Sequence, residues 1–314
     1  MVEVRVSDVA RAAREHPGLL RKRENRLIAG LSSGAGLFAD AAVEALGDGF
    51  VAAACDAILP ELCARAPRFA GRSAVLAAVN DLAAVGARPL FFVNALAAPD
   101  RAVLDELAGG MAEAAALFGV PCRGGHLLPL GTQAGVSVTA VGRASRRVSP
   151  GVLSEGDLVV LALCLDGRRP AAHALAWDAT FCADPEAVRG RYRALESLFE
   201  AGLIRAAKDV ANAGILGTLA LLAEASGAGV AVDLDSVDRP TEMPFIDWLL
   251  SFLSFGFVLG VARQDEARVL ETLFRAGVWA RAVGTATGDG RVVLHSGDEE
   301  AVVFDWNVDS ILRV

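Results

Sequence analysis

The sequence lacks a surplus of basic residues, and it is especially poor in lysine. It contains 30 lysines and arginines against 38 acidic residues, which gives a net charge of −8. Proteins that bind the phosphate backbone of nucleic acid usually carry a basic surplus, so this composition argues against a nucleic-acid partner. The abundance of arginine and alanine is typical of a GC-rich genome. Against that background the only two lysines, Lys22 and Lys208, are positions of interest.

Cysteine is also scarce, and long apolar runs are missing. The five cysteines form no CxxC pair and no Cys/His zinc spacing, which predicts reduced, buried thiols in a cytosolic protein. The charged N-terminus has no apolar signal core. The most apolar stretch, residues 248–262, is too short to span a bilayer. The sequence therefore predicts a cytoplasmic protein without a membrane partner.

Length and pattern predict two domains. The chain has 314 residues, of which 54 % are apolar, enough for a core in each domain. Helical and strand patterns are mixed in both halves, which predicts an α/β (α+β) fold class. We place the domain boundary in the polar residues 145–156. The expected divisions are a helical extension over residues 1–30, a first domain over 31–148 and a second over 149–314.

Local signals predict several elements. Asp48-Gly49 between apolar runs indicates a hairpin, and an apolar helix is expected over residues 71–85. Asp184 is a suitable N-cap for a helix that begins at Pro185. A charged helix is expected over residues 6–24, with His16 solvated on its surface. A loop is expected over residues 208–214, followed by an apolar helix to Ser226, for which Asp209 is a possible N-cap.

Two motifs suggest other functions. Gly34, Gly36 and Ala39 fit GxGxxA, and Asp56 follows at a suitable distance, which is the outline of a dinucleotide (Rossmann) site. The preceding strand is short, however, and the predicted hairpin interrupts the expected helix. Residues 30–34 match the GxSxG nucleophile elbow, but no histidine has an evident triad role. No GxxxxGK[ST] phosphate loop occurs.

Four segments carry polar residues in apolar surroundings. Asp81 lies among apolar residues of its helix, where an isolated carboxylate is costly unless it is paired or binds metal. Asp56 ends an apolar strand, although a simple turn or cap explains it equally. The other two segments are Gly124-Gly125-His126 and Lys208-Asp209-Val-Ala-Asn212, which offer backbone flexibility and N–H groups to an anionic ligand.

These segments, in this order, resemble the motifs of the AIR synthase superfamily. The members of this superfamily include aminoimidazole ribonucleotide synthetase, thiamine-monophosphate kinase, selenophosphate synthetase and the hydrogenase-maturation protein HypE. Residues 38–43 (FADAAV) are similar to the GDDAAV motif, Cys55-Asp56 to TD, and residues 124–126 to GGD or GGH. Residues 78–89 (AVNDLAAVGARP) are similar to NLSDLAAMGAxP, the most specific match, and residues 209–212 to DISDG.

The resemblance implies a PurM-like two-domain fold that binds ATP and Mg²⁺. In that family the first domains of two subunits pair into a barrel, which implies a homodimer, and aspartates hold magnesium on the ATP phosphates. The implied metal ligands are Asp40, Asp56, Asp81 and Asp209. The implied phosphate-contacting or proton-transferring residues are His126 and Lys208, and the implied cofactor-binding residues are Asn80, Gly124, Gly125 and Asn212.

Some family carboxylates are replaced here. Ala39, His126 and Asn212 stand where the motifs have aspartate. The leading hypothesis is an ATP- and Mg²⁺-dependent enzyme that either phosphorylates a small molecule or activates its carbonyl oxygen for attack by nitrogen. The alternatives are a dimeric nucleotide-binding relative without turnover and the dinucleotide enzyme.

Overall fold

Two antiparallel-rich sheets, each with its own buried core, organise the chain. The computed structural model describes residues 4–31, 39–148 and 152–312. The first of these segments forms two helices, α1 (Val6–Glu15) and α2 (Pro17–Leu20), followed by a 3₁₀ helix, Arg21–Leu31. The predicted single helix over residues 6–24 is wrong, because the backbone of His16 is extended and Pro17 starts a new helix.

The first sheet has five strands. They are β1 (Ala42–Leu46), β2 (Gly49–Ala57), β3 (Arg88–Ala97), β4 (Cys122–Leu127) and β5 (Gly135–Ala144). Their order in the sheet is β1-β2-β5-β3-β4, and only the β3–β4 pair is parallel. The β1–β2 hairpin turns at Asp48, as the sequence predicts.

Three helices accompany this sheet: α3 (Pro60–Arg65), α4 (Pro67–Ala84) and α5 (Arg101–Phe118). The inward side chains of the strands alternate with outward ones, so Ala52, Phe92 and Val138 are buried in a core that also contains Leu82 and Leu107 of the helices. The side chains on the other face of β2, β3 and β5 stay half-exposed or exposed.

The second sheet has seven strands, and its order is β14-β13-β9-β12-β6-β11-β8. The members are β6 (Leu158–Leu163), β8 (Ile204–Asp209), β9 (Gly229–Asp233), β11 (Gly256–Val261), β12 (Trp279–Thr287), β13 (Arg291–Ser296) and β14 (Glu299–Asp305). Two short strands, β7 (Ala176–Trp177) and β10 (Phe252–Leu253), form a separate parallel pair. The helices are α6 (Pro185–Glu200), α7 (Gly214–Ser226), α8 (Phe245–Leu249) and α9 (Glu266–Arg275).

The N-terminal segment joins the second core. Val6, Val9, Ala10 and Ala13 of α1 are buried in the same hydrophobic cluster as β6 and β11. Arg14 donates a hydrogen bond of 2.7 Å from Nη1 to the carbonyl oxygen of Val302 on β14. The predicted domain limits at residues 30 and 148 stay predictions.

The mixed α/β fold class is confirmed, and so is the N-cap of α6, where the Asp184 side chain accepts from the backbone N–H of Ala187. The loop expected over residues 208–214 is shorter in the structure, and the helix expected to end at Ser226 is confirmed as α7. Asp209 is the last residue of β8, and α7 begins at Gly214. Gly214 has φ +72°, and a Cβ there would lie 2.6 Å from the Cα of Leu250, so the turn requires glycine. In the described part of the chain, no helix has the length and hydropathy needed to cross a bilayer.

Candidate functional site

Four aspartates from four separate elements meet between the two sheets. Asp40 precedes β1, Asp56 lies near the end of β2, Asp81 lies on α4, and Asp209 ends β8. One carboxylate oxygen each from Asp40, Asp81 and Asp209 lies within 4.8 Å of the others. Asp56 shares a hydrogen bond with Asp81. These four residues form the acidic cluster, and its members come from both halves of the chain.

The local structure explains why two of these side chains point inward. Asp56 alternates with the buried Ala52 and Ala54 on β2, so it lies on the face of the sheet that α4 covers. The surroundings of Asp81 on α4 are buried apolar residues, among them Val79 and Leu82. The sheet and the helix therefore direct both carboxylates toward each other.

Burial and mutual repulsion raise the pKa values of two members of the cluster. Burial, followed by the charges of Asp209, Asp56 and Asp40, raises the pKa of Asp81 well above its usual range. Burial and the charge of Asp40 raise the pKa of Asp209 to about 8, although Lys208 opposes the shift. Without a further cation, this arrangement disfavours the ionised form of both carboxyl groups.

Lys208 is the main protein cation of the cluster. Its ammonium group forms an ion pair with Asp40, and the two side chains are only 12 % and 9 % exposed. The backbone N–H of Asp209 donates to the other oxygen of Asp40 over 3.3 Å. Burial lowers the pKa of Lys208, but the charge and hydrogen bond of Asp40, together with the charges of Asp209 and Asp81, outweigh that effect and the pKa is raised. Lys208 is therefore charged and is engaged with a carboxylate.

Lys22 is a residue that the motif comparison missed. It lies in the 3₁₀ helix Arg21–Leu31, and its charge acts to lower the pKa of Asp209. Both lysines of the chain thus lie near the acidic cluster. The signal that could have identified Lys22 is the rarity of lysine in this sequence.

Asn80 joins the domains through its side chain. It is 1 % exposed. Its Oδ1 accepts a hydrogen bond of 2.6 Å from the hydroxyl of Tyr192 on α6, and its Nδ2 donates to the carbonyl oxygen of Ser254 over 3.4 Å. Burial raises the pKa of Tyr192, so its hydroxyl remains a donor. Asn80 therefore fixes the position of its neighbour Asp81.

Asn212 lies on the exposed loop between β8 and α7, and its carbonyl group contacts the N-terminal segment. The carbonyl oxygen of Asn212 lies 2.9 Å from Nε2 of His16. The expectation that His16 is solvated is wrong, because the residue is 8 % exposed. Burial lowers the pKa of His16, and the nearby Arg21 acts in the same direction while the hydrogen bond opposes it. The neutral ring donates to the loop that follows Asp209.

His126, Gly124 and Gly125 are not brought to the cluster within this chain. They lie on β4, at the far edge of the first sheet, with β5 and β3 between them and β2. Cross-strand pairing places Asp56 on the same face as Val138 and Asn94, whereas His126 pairs with Ala95 on the opposite face.

The two competing motifs find no support in the fold. Asp56 lies on a strand that is antiparallel to both of its neighbours, whereas a dinucleotide fingerprint needs a parallel βαβ unit. Gly34, Gly36 and Ser32 lie outside the described residues. His295 lies on β13 with Glu300 as its neighbour at 3.8 Å.

Comparisons with known proteins agree with the two-sheet architecture. Residues 38–144 match the family model described as "AIR synthase related protein, N-terminal domain". Residues 155–297 match the model described as "AIR synthase related protein, C-terminal domain". The chain belongs to this family. A relative is the Synechocystis sp. protein described as "Uncharacterized protein sll0787", which is 32 % identical over 82 % of this chain and 80 % of its own length.

Solved structures of the family share the PurM-like two-domain fold. The structure "T. maritima PurL complexed with ATP" has a TM-score of 0.72 at 23 % identity and covers 84 % of this chain and 45 % of the PurL chain. This chain thus spans about half the length of that PurL. The structure "AaThiL complexed with AMPPCP and TMP" has a TM-score of 0.66 at 14 % identity, with 89 % of this chain and 95 % of that chain covered.

Proposed function

We propose that this AIR synthase-related protein binds ATP with Mg²⁺ and uses it in a reaction on a small molecule. The reaction is either phosphorylation of the molecule or activation of its carbonyl oxygen for attack by nitrogen. The observation that carries the proposal is the convergence of Asp40, Asp81 and Asp209 within 4.8 Å. The ATP and AMPPCP named in the titles of the PurL and ThiL structures support the choice of nucleotide.

The donor set of the acidic cluster suits magnesium. Mg²⁺ prefers hard oxygen ligands, and one or two carboxylates together with substrate phosphates form a typical site. Burial is the largest cause of the raised pKa values of Asp81 and Asp209, and the negative charges of the neighbouring aspartates add to it. A bound divalent cation would offset the repulsion between these charges. We propose Asp40, Asp56, Asp81 and Asp209 as the residues that hold it.

Magnesium would supply neutralisation of phosphate charge, and the residues of the chain would supply positioning. Phosphoryl transfer depends mainly on these two effects and needs no protein nucleophile. Lys208 holds Asp40 in place through their ion pair. Asn80 holds α4, and with it Asp81, against the second domain. Lys22 adds positive charge near Asp209.

A homodimer belongs to the same proposal. The outer face of the first sheet carries small or aliphatic side chains that are half-exposed or exposed, including Ala53, Cys55, Val93 and Thr139. A second copy placed on this face would bury it. The dimer would also enclose His126, which lies on that face, and could bring it to a role in the partner's site.

A second candidate is a nucleotide-binding dimer without turnover. It is favoured by the residues that replace family aspartates, Ala39, His126 and Asn212. The two candidates share ATP binding and differ in whether ADP is released in the presence of an acceptor. A screen of metabolites for ADP release separates them.

The direct test is thermal unfolding with millimolar ATP, with and without Mg²⁺. We expect ATP with Mg²⁺ to raise the unfolding temperature by several degrees, since a ligand at 100 times its dissociation constant stabilises by about 2.7 kcal/mol. ATP with EDTA should have little effect. Absence of a shift with Mg²⁺ and ATP together would remove both candidates.

The residue-level test is Asp81→Asn, with Asp105→Asn on the exposed face of α5 as the control. Asn at position 81 removes a carboxylate whose ionised form is disfavoured, so the metal-free variant should unfold at the wild-type temperature or higher. The Mg²⁺–ATP shift should be lost in Asp81→Asn and kept in Asp105→Asn. A full shift in Asp81→Asn would contradict the assignment of this residue.

A further inference from the structure

A cavity of about 280 Å³ opens beside the acidic cluster, on the side of Asp209. It lies between the two domains, with α3 and α4 on one side and the loop after β8 on the other. Asp209 and Asn212 form part of its wall. Its volume is near the lower limit of small-molecule pockets, which hold about 300–1,000 Å³. It therefore suits a small ligand rather than a peptide or a macromolecule.

Another part of the wall can bind an anion. Arg65 and His173 line it. The charges of Arg65 and Arg21 act on His173, and together with burial they lower its pKa. Arg65 donates a hydrogen bond of 2.7 Å to the carbonyl oxygen of Ala172, which fixes its guanidinium group near the loop of His173. Glu61 also lines this wall, and both Glu61 and Arg65 are exposed to solvent.

The neutral ring of His173 is a hydrogen-bond donor toward a ligand. Its Nδ1 accepts a hydrogen bond of 3.2 Å from the backbone N–H of Leu175. Because a neutral imidazole carries one proton, that bond assigns the proton to Nε2. The ring packs edge-on against Phe252, with the ring centroids 5.1 Å apart. The wall thus offers a fixed N–H group next to a guanidinium group, an arrangement that suits a carboxylate or a phosphate.

The remainder of the cavity is apolar. Phe252 and four aliphatic side chains supply most of it: Ile58, Leu59, Leu62 and Leu76. A ligand with an apolar or aromatic body would fit between these side chains. The cavity therefore combines Asp209 of the acidic cluster, the anion-binding groups of Arg65 and His173, and apolar walls.

We propose that this cavity is the acceptor-substrate pocket and that the acceptor is a small organic anion with an apolar body. Its anionic group binds Arg65 and His173, and its opposite end reaches the acidic cluster. The identification of the bound anion as the acceptor rests on the proposed function, whereas anion binding in the cavity does not. ATP is a less suitable occupant of this cavity. Its phosphates are proposed to lie at the acidic cluster, and its base carries no anionic group that would bind Arg65 and His173.

The test uses benzoate, phenyl phosphate and the neutral isostere benzamide as probes, in EDTA. In EDTA no metal ion can bridge the anion to the acidic cluster, so anion binding reports on Arg65 and His173. We expect both anions to bind with dissociation constants at least about fivefold lower than that of benzamide, as measured by calorimetry or ligand-observed NMR. Equal binding of benzamide, or no binding of either anion, would overturn the proposal.

Variants locate the binding. Arg65→Gln and His173→Ala should each weaken benzoate and phenyl phosphate by about fivefold or more, and Arg101→Gln on the exposed face of α5 should have no effect. The Mg²⁺–ATP thermal shift should persist in Arg65→Gln, which separates failure of this inference from failure of the proposed function. Adenosine should not displace the probes, and displacement would assign the cavity to the nucleotide base and overturn the proposal.

Discussion

At the residue scale, the acidic cluster is a site where folding brings like charges together. Asp81 and Asp209 come from different domains, and the charge of Lys208, which is ion-paired with Asp40, does not prevent the rise of their pKa values. Structures that place carboxylates together without sufficient positive charge raise the pKa values of those groups. Such a cluster costs stability at neutral pH, and a ligand cation can recover that free energy.

Metal affinity should therefore depend on pH. The pKa of Asp209 is about 8 in the folded protein, far above the value of about 3.9 for an unfolded chain. Between those values the folded state binds more protons than the unfolded state, so the metal-free protein loses stability as the pH rises from about 4 to 8. A divalent cation must displace the same protons. We expect the affinity for Mg²⁺ to rise by up to about tenfold per pH unit between pH 6 and 8.

Calorimetry in buffers of different ionisation enthalpy measures this proton release. Binding of Mg²⁺ at pH 7 should release on the order of one proton from the wild-type protein. Asp209→Asn should release fewer protons and lose most of the affinity, whereas Asp289→Asn, in the distant β12–β13 turn, should resemble the wild type. Metal binding without proton release at pH 7 would contradict the assignment of Asp209.

At the scale of the elements, the N-terminal helices support the site loop. Gly18 packs tightly against the carbonyl group of Asn212, since a Cβ at position 18 would lie 1.7 Å from that oxygen. His16 bonds the same carbonyl group from the other side, and Leu19 is buried next to Gly217 of α7. The segment before the first sheet thus holds the loop that follows Asp209.

Gly18→Ala should displace that loop. The added methyl group has no room, so we expect a destabilisation of about 1–3 kcal/mol and a weaker Mg²⁺–ATP shift at matched folded fraction. The matched control is Gly190→Ala on α6, where the new Cβ meets only Arg193 Nη2 at 3.7 Å. The control should gain up to about 1 kcal/mol, because alanine is the better helix former. Unfolding in denaturant measures the free energy of unfolding of both variants. Equal values for Gly18→Ala and the wild type would show that the contact between Gly18 and Asn212 does not contribute to stability.

Local sequence signals were sufficient for some elements and insufficient for others. The Asp48-Gly49 turn, the apolar run of α4 and the Asp184 cap act over a few residues, so the pattern identified them. Strand β8, IRAAKD, has no clear alternation, and its assignment depends on pairing with β11. The same limit explains why Lys208 and Asp209 were expected in a loop.

The candidate site divides in the same way. The aspartates were identifiable because a carboxylate in an apolar segment is costly unless it is paired or binds a metal. The family motifs indicated the same four residues. His16 and Tyr192 were missed, because their contacts with Asn212 and Asn80 join residues that are far apart in the sequence. The position of His126 was not predictable either, since the Gly-Gly-His sequence does not specify which face of the sheet the ring occupies.

At the scale of the whole molecule, two interfaces govern the proposed function. One is the contact between the domains, where Asn80, Tyr192 and Ser254 meet and where the acidic cluster and the cavity lie. The other is the outer face of the first sheet. A domain contact of this kind fixes the geometry of the cluster within one chain, whereas the outer face determines whether a second chain contributes to it.

Ala53→Arg tests the proposed dimer. Ala53 lies on the outer face of β2 and is exposed in the single chain, so the folded monomer should tolerate arginine. In a two-fold symmetric dimer the new charge would be buried twice. An unpaired buried charge costs several kcal/mol, so the dimer dissociation constant should rise by at least about 100-fold. Sedimentation velocity at micromolar concentration measures the change.

Ala102→Arg, at an exposed position of α5, is the matched control and should sediment like the wild type. A monomeric wild-type protein, or a dimer that is unchanged by Ala53→Arg, would rule out this face as the subunit contact. If Ala53→Arg is monomeric and keeps the Mg²⁺–ATP shift, the nucleotide site is complete within one chain. If the shift is lost together with the dimer, residues of the outer face, His126 among them, contribute to the site across the subunit contact.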